Sequence, residues 1–171
     1  MCTDMKSLIA YFSRKGNNYV GGNIVNLSVG NTEIAAKKIA GMTGEDLYEI
    51  KTVHSYSEDY TACTEEAKRE LQAKARPELA SEVPDISAYD VIYLGYPNWW
   101  GTAPMGVFTF LESADFSGKI IKPFCTHEGS GMGHSEADIK KACPSARVER
   151  GLAIRGGSVS RADKDIENWV K

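Results

Sequence analysis

The chain reads as one doubly wound α/β domain, a parallel sheet covered by helices on both faces, and three observations predict it. Short apolar runs suited to strands alternate with amphipathic stretches suited to helices, five of each, and parallel neighbours need such crossovers. The run Val91-Ile92-Tyr93-Leu94 is apolar without a break and rich in β-branched and aromatic side chains, as a central strand buried on both sides requires. The segments after the first, third and fourth strands (after Ser13, 95–104 and 126–134) are rich in Gly, Ser, Thr or Asn. They should meet at the carboxyl edge of the sheet, where open α/β sheets bind ligands. With 171 residues the chain has enough material for one substantial core and too little for two, so residues 1–171 are read as a single domain.

Ser7 to Ser13 is the first strand, ending in a hydroxyl. A helix follows from Asn31, with Ala35, Ile39 and Met42 on one face, and Gly44 closes it. Asp46 to Ile50 alternates polar and apolar, as a peripheral strand does. The spacing of Tyr60, Cys63, Ala67, Leu71 and Ala75 predicts a helix over about Glu58 to Ala75, ended by Pro77. The central strand from Val91 is expected to stop at Gly95 and Pro97, and Pro104 suits the first position of the next helix. Lys119 to His127 is a fourth strand. Ser135 with Asp138 resembles an N-cap arrangement for a helix to Ala142. A fifth strand lies within Arg147 to Arg155, and Ser160 is expected to cap a last helix that buries Ala162, Ile166, Trp169 and Val170.

Composition narrows the function classes. The formal net charge of −3 gives no basic footprint, which argues against nucleic acid as a partner. No apolar run approaches the ~18–20 residues of a membrane span, and Met-Cys-Thr-Asp-Met-Lys leads into a strand rather than a signal peptide, so a cytoplasmic protein is expected. Cys2, Cys63, Cys125 and Cys143 lie far apart with no C-x-x-C pair, and His54, His127 and His134 have no metal-ligand spacing, so no metal is expected. No G-x-S-x-G surrounds a serine. The first strand ends Tyr-Phe-Ser, without the aspartates of a phospho-acceptor module.

The residues that remain carry a family resemblance. Ser13 with Gly30-Asn31-Thr32 is similar to a flavodoxin phosphate loop, Leu94-Gly-Tyr-Pro-Asn-Trp-Trp-Gly101 to the family's first flavin loop, and Thr126-His-Glu-Gly-Ser-Gly131 to its second. The central stretch is the most specific, and the likeness covers Ser7 to Val170. The resemblance implies a flavodoxin-like five-stranded sheet of order 2-1-3-4-5 and FMN as cofactor. It implies a site made of Ser13, Arg14, Asn31, Thr32, Pro97, Asn98, Trp99, Trp100, Gly101, Thr126, His127, Gly129, Ser130 and Gly131. The physical reading agrees: a helix N-terminus at Asn31 suits the phosphate dianion, and Trp99 or Trp100 can stack on the ring. The loop 126–131 would turn backbone N–H groups toward the ring's O2, N3 and O4 edge. Trp100, beside Gly101, matches the stacking position. The peptide at Gly101 corresponds to one that turns toward reduced flavin N5, and a Cβ there is expected to penalise the reduced states.

Departures from the pattern qualify the resemblance. Residues 14–29 form an insertion in the phosphate loop, with a hairpin expected about Gly21-Gly22, and serve either as a lid or as a surface loop. Two segments therefore compete for the phosphate, Ser13 to Asn18 and Gly30-Asn31-Thr32, and only the second runs directly into a helix. Loop 126–134 has no aromatic for the outer flavin face, so Met132 or His127 covers it or it stays open to a substrate. The resemblance implies an electron carrier serving redox partner proteins. Its mild acidity leaves open a reductase that takes hydride from NAD(P)H and passes electrons to a quinone or similar small acceptor. A non-redox phosphate-binding module is a distant third reading.

Overall fold

The computed structural model describes residues 5–171. Cys2 lies outside them. Strand β1 (Ser7–Tyr11) is buried along its whole length and sits between β4 (Asp46–Glu49) and β5 (Val91–Pro97). Strand β6 (Ile120–His127) pairs with β5, and beyond it lie two short strands, β7 (Arg147–Val148) and β8 (Leu152–Arg155). The order is β4-β1-β5-β6 and then β7 with β8, all pairs parallel, which is the expected 2-1-3-4-5 sheet.

Alternation along the strands splits the core into two layers. Leu8, Ala10, Ile92, Leu94, Ile121 and Cys125 face a layer with helices α3 (Met105–Glu112) and α4 (Ser135–Ala142), flanked by α2 (Tyr60–Ala73). Ile9, Tyr11, Val91, Tyr93, Phe124 and Ile154 face α1 (Asn31–Thr43) and α5 (Asp163–Val170). The buried thiols follow the same logic: burial pushes Cys125 up to about 12 and Cys143 to about 11, so neither is a nucleophile.

Several expected boundaries move, each for a local reason. Strand β5 runs on through Gly95 to Pro97. A Cβ at Gly95 would lie 2.2 Å from Phe124 Cζ, so this glycine admits a ring from the neighbouring strand rather than breaking its own. Pro97 closes the pairing with β6 opposite Thr126. Helix α2 ends at Lys74 in a left-handed C-cap, ahead of Pro77, and Asp59 caps its start by accepting from Ala62 N–H at 2.9 Å. Met42 is exposed, and Ala36 takes the buried position on α1 beside Ala35 and Ile39. Ser135 is the first residue of α4 rather than its cap. Its hydroxyl donates to Met132 O at 2.6 Å and accepts from Tyr96 OH at 2.8 Å. Ser160 lies inside a 3₁₀ segment, Gly156–Arg161, and Ala162 stands before α5. The fifth strand is broken at 149–151, where Gly151 N–H turns to Glu136 Oε2 at 2.7 Å.

Residues 16–27 form the expected antiparallel hairpin, β2 (Gly16–Val20) and β3 (Asn23–Leu27). Its tip, Gly21-Gly22, has φ +60 and +89, the signs a type I′ turn needs.

Candidate cofactor site

The strand order reverses between β1 and β5, and the carboxyl ends of β1, β5 and β6 meet there. A cavity of about 300 Å³ opens at this edge. Arg14 and Asn18 close one side, Asn31 and Thr32 the floor, and Pro97, Asn98 and Trp99 another side. Thr126, His127, Glu128, Ser130 and Gly156 complete the wall. A second cavity of about 290 Å³ adjoins it, sharing Arg14, Asn18, Tyr60, Asn98 and Trp99, and adding Cys63, Thr64, Ala67 and Trp100. One is bounded largely by hydrogen-bonding groups, the other by α2 and two tryptophans.

The anion end is built on α1. Gly30 precedes that helix without a side-chain cap of its own, and Ser13 supplies one across the chain by accepting from Glu33 N–H at 3.1 Å. A Cβ at Gly30 would stand 2.2 Å from Ser13 Oγ, so the cap needs glycine there. The amides of Asn31 and Thr32 open the helix, have no partner within it and point toward its N-terminal side. Thr32 is 2% exposed, and its hydroxyl lies 2.7 Å from that of Thr126, which is 5% exposed. Across the cavity Arg14 donates to the carbonyls of Asn17, Ser57 (2.9 Å) and Glu58 (3.0 Å), binding the hairpin base to the loop before α2. Its charge faces the same space.

The loop after β5 carries the ring-binding features. Trp99 and Thr102 exchange backbone hydrogen bonds (2.9 and 3.3 Å), and Trp100 and Gly101 between them both have positive φ, +57 and +85. Such a φ is strained for a residue as bulky as tryptophan, costing about 1–3 kcal/mol, and strain of this kind gathers at functional sites. Trp100 is held by its Nε1, which donates to Thr64 O at 2.8 Å, and by Lys68 Nζ 5.3 Å above its ring. It remains 49% exposed. Trp99 is held differently: Phe12 and Tyr56 meet it edge-on at 5.2 and 5.0 Å, and it packs, partly buried, against the core while lining both cavities.

Asn98 braces the loops after β5 and β6, accepting from Gly101 N–H and donating to Gly131 O, both at 2.9 Å. His134 N–H donates to Gly101 O at 2.8 Å, and Thr102 and His134 share Asp138 Oδ2. His127 Nδ1 accepts from Gly129 N–H at 2.9 Å, and burial, then the charge of Arg155, push this imidazole below its ordinary pKa. It is therefore a neutral wall residue.

Most of the expected site residues converge. Arg14, Asn31, Thr32, Pro97, Asn98, Trp99, Thr126, His127 and Ser130 line the first cavity, and Trp100 the second. Ser13 does not reach either wall, and acts through the cap on α1. Gly101, Gly129 and Gly131 shape loops behind the walls through positive φ. Met132 packs toward the core, which leaves His127 as the loop residue of the two on the cavity. Of the other wall residues, Asn18 belongs to the competing phosphate segment and Glu128 to the loop 126–131, whereas Tyr19, Tyr60 and Gly156 were not expected. Gly156 carries no local signal, because the pairing of β8 with β6 is what brings it to this edge. The geometry also corrects the expectation for Gly101: its positive φ is already present here, so a Cβ penalises this state and not only a reduced one.

Fold and site together suit a ligand with an anionic end at a helix N-terminus and a flat aromatic end beside the tryptophan-bearing loop after β5. The sequence model of the flavodoxin family matches residues 6–171, and the chain belongs to that family. FMN is the cofactor this membership carries, and the donor set described above fits its phosphate and ring. Flavodoxin 1 of Shigella flexneri is 26% identical over 138 residues, which are 78% of this chain and 61% of that relative, so the match spans under two thirds of the relative's length. A protein of Bacteroides uniformis ATCC 8492 inferred to be a flavoprotein is 30% identical, with a TM-score of 0.77 and coverage of 98% of this chain and 99% of that one. A flavoprotein in complex with FMN from Lactobacillus acidophilus NCFM shares the fold at 21% identity, with a TM-score of 0.71 and coverage of 98% and 100%.

The two tryptophans should separate by measurement. Trp100→Ala is expected to weaken FMN binding by about 1–3 kcal/mol, the worth of an aromatic stack on a base, with little loss of stability. Trp99→Ala should instead destabilise the flavin-free protein by about 3 kcal/mol, since it breaks an aromatic core cluster. Flavin fluorescence titration and denaturant unfolding read the two effects. Equal affinities, or the reverse order, would refute the assignment of Trp100 to the ring.

Proposed function

We propose that this protein is a cytoplasmic electron carrier that holds FMN in the paired cavities and passes single electrons to partner proteins. Bound FMN supplies the redox chemistry, and the chain supplies binding, orientation and potential. The observation that carries the reading is Trp100: a strained, half-exposed aromatic on the second cavity, which shares residues with the first, puts one edge of the site within a partner's reach. The amides of Asn31 and Thr32, with the hydroxyl pair of Thr32 and Thr126, take the phosphate in this reading. Asn18 and Tyr19 make the hairpin a wall of the site, which favours the lid over the surface loop. The described cysteines are free and buried, in keeping with a reducing compartment, and no described helix is long and apolar enough to cross a membrane.

A second reading, a reductase using NAD(P)H and a small acceptor such as a quinone, rests on the apolar second cavity, which has room beside the first. Anaerobic photoreduction of the FMN-loaded protein separates them. Two resolved one-electron steps support the carrier, whereas direct two-electron bleaching by NADH or NADPH would overturn it in favour of the reductase.

Gly101 offers a second test. Its carbonyl is engaged by His134 N–H, so turning that peptide toward the flavin costs a hydrogen bond, about 0.5–1.5 kcal/mol. Gly101→Ala is expected to lower the unfolding free energy of the flavin-free protein by about 1–2 kcal/mol through positive φ, with the His134 ring, whose Nε2 would stand 3.0 Å from the new Cβ, having to shift as well. A variant as stable as its parent would show that the φ of +85 is not required.

A further inference from the structure

Among the described residues, a single buried side-chain oxygen or nitrogen lacks a hydrogen-bond partner, Oε1 of Glu128. Its other oxygen, Oε2, accepts from Gly21 N–H at the hairpin tip, 3.3 Å away. Glu128 is among the residues that line the first cavity. A Cβ built on Gly156 would stand 2.8 Å from Oε1 and 2.5 Å from Asn31 Nδ2, so the carboxylate and the Asn31 amide both lie against Gly156, where only a glycine lets them stand so close.

An acceptor buried without a donor is costly, and such groups in native proteins nearly always pair with protein, water or ligand; Glu128 lines a cavity that suits a ligand rich in donors. The phosphate cannot be that partner, because a dianion has no proton to give and repels a carboxylate. Two kinds of donor remain on FMN: the hydroxyls of its ribityl chain and the ring N3–H. Position decides between them. Asn31 opens α1, where the phosphate sits, and the ribityl chain is the part joined directly to the phosphate, whereas N3 lies at the far end of the ring.

We infer that Glu128 Oε1 accepts a hydrogen bond from a ribityl hydroxyl of FMN, with the Asn31 amide at the same stretch and Gly156 letting the two side chains sit side by side. The inference rests on the FMN reading above and extends it, because it makes Glu128 a specificity residue for the polyol linker. Through Oε2 the same carboxylate ties the hairpin tip to the occupied site, so linker and lid are read by one side chain.

The test compares FMN with a flavin phosphate whose side chain is an unsubstituted pentyl chain, which keeps ring, N3–H and phosphate and lacks the hydroxyls. Wild type, Glu128→Ala and Glu128→Gln are titrated by flavin fluorescence. Glu128→Ala is expected to lower FMN affinity about ten- to a hundred-and-fifty-fold, as for a hydrogen bond to a charged group, and to leave affinity for the pentyl analogue unchanged. Glu128→Gln should lose less, since its amide can still accept from Gly21 and can donate to a hydroxyl, which takes either role. Equal losses on both ligands would overturn the inference and point to N3–H or to the hairpin, and so would an unchanged affinity for FMN. Wild-type protein that binds neither flavin would overturn the FMN reading itself, and this inference with it.

Discussion

Gly133→Ala is expected to destabilise the flavin-free protein by about 2–5 kcal/mol and to weaken FMN binding with it. Gly133 has φ +57, which costs an L side chain about 1–2 kcal/mol. Its Cβ would also lie 2.2 Å from Gly101 O, 2.7 Å from Gly101 C and 2.9 Å from Gly101 Cα. Those are backbone atoms of the other flavin loop, and they cannot swing aside as the end of a flexible side chain would. Relieving the overlap parts the two loops, breaks the bond from His134 N–H to Gly101 O, and adds the roughly 1–3 kcal/mol typical of overpacking. Gly131→Ala is the control: its φ is +65 and nothing lies within 4 Å of its Cβ, so it bears the conformational cost alone. Denaturant unfolding of both variants isolates the overlap as their difference. Equal destabilisation would mean that the loops do not meet at this point.

The second large effect concerns the phosphate. In the Thr32 and Thr126 pair one hydroxyl donates to the other, and a single hydroxyl proton is left to point into the cavity. Thr32→Ala removes the hydroxyl nearer the helix start and strands that of Thr126, which is itself buried. FMN affinity should fall about ten- to a hundred-and-fifty-fold, from the roughly 1.5–3 kcal/mol of a hydrogen bond to a charged group. Riboflavin, which lacks the phosphate, should bind wild type and variant alike. Asn17→Ala should do little. Asn18→Ala should loosen the hairpin, because its amide donates to Arg14 O at 2.9 Å and Gly16 O at 3.3 Å, and that loss should be the same with riboflavin as with FMN. A large, phosphate-dependent loss in either asparagine variant, with Thr32→Ala silent, would move the phosphate loop to residues 13–18.

Periodicity made the alternating strands and helices, the two helical layers and the three ligand loops legible, since the burial of Leu8, Ile92 or Ile121 is a property of its own segment and of alternation; the sheet order came with the family resemblance. The glycine-rich hairpin tip was legible for the same reason: Gly21-Gly22 carries its turn chemistry locally. What stayed hidden depends on approach between distant segments. Gly95 reads as a strand stop, and only the ring of Phe124 from β6 shows it to be a continuation. Ser13 reads as a phosphate ligand, yet it caps a helix that begins beyond the inserted hairpin. Gly156 reached the site only through the pairing of β6 with β8.

The break between β7 and β8 has a consequence beyond the register of the sheet. A parallel sheet ends in a row of unpaired amides and carbonyls that can template another copy's strand, and long, flat edges seed aggregates. Here that border offers two pieces of two and four residues, interrupted where Gly151 turns its N–H inward to Glu136. Arg147 and Arg150 stand exposed along it, adding charge where a foreign strand would have to lie flat. The opposite border, β4, is four residues long. Neither side offers a continuous ladder on which another copy's strand could grow the sheet.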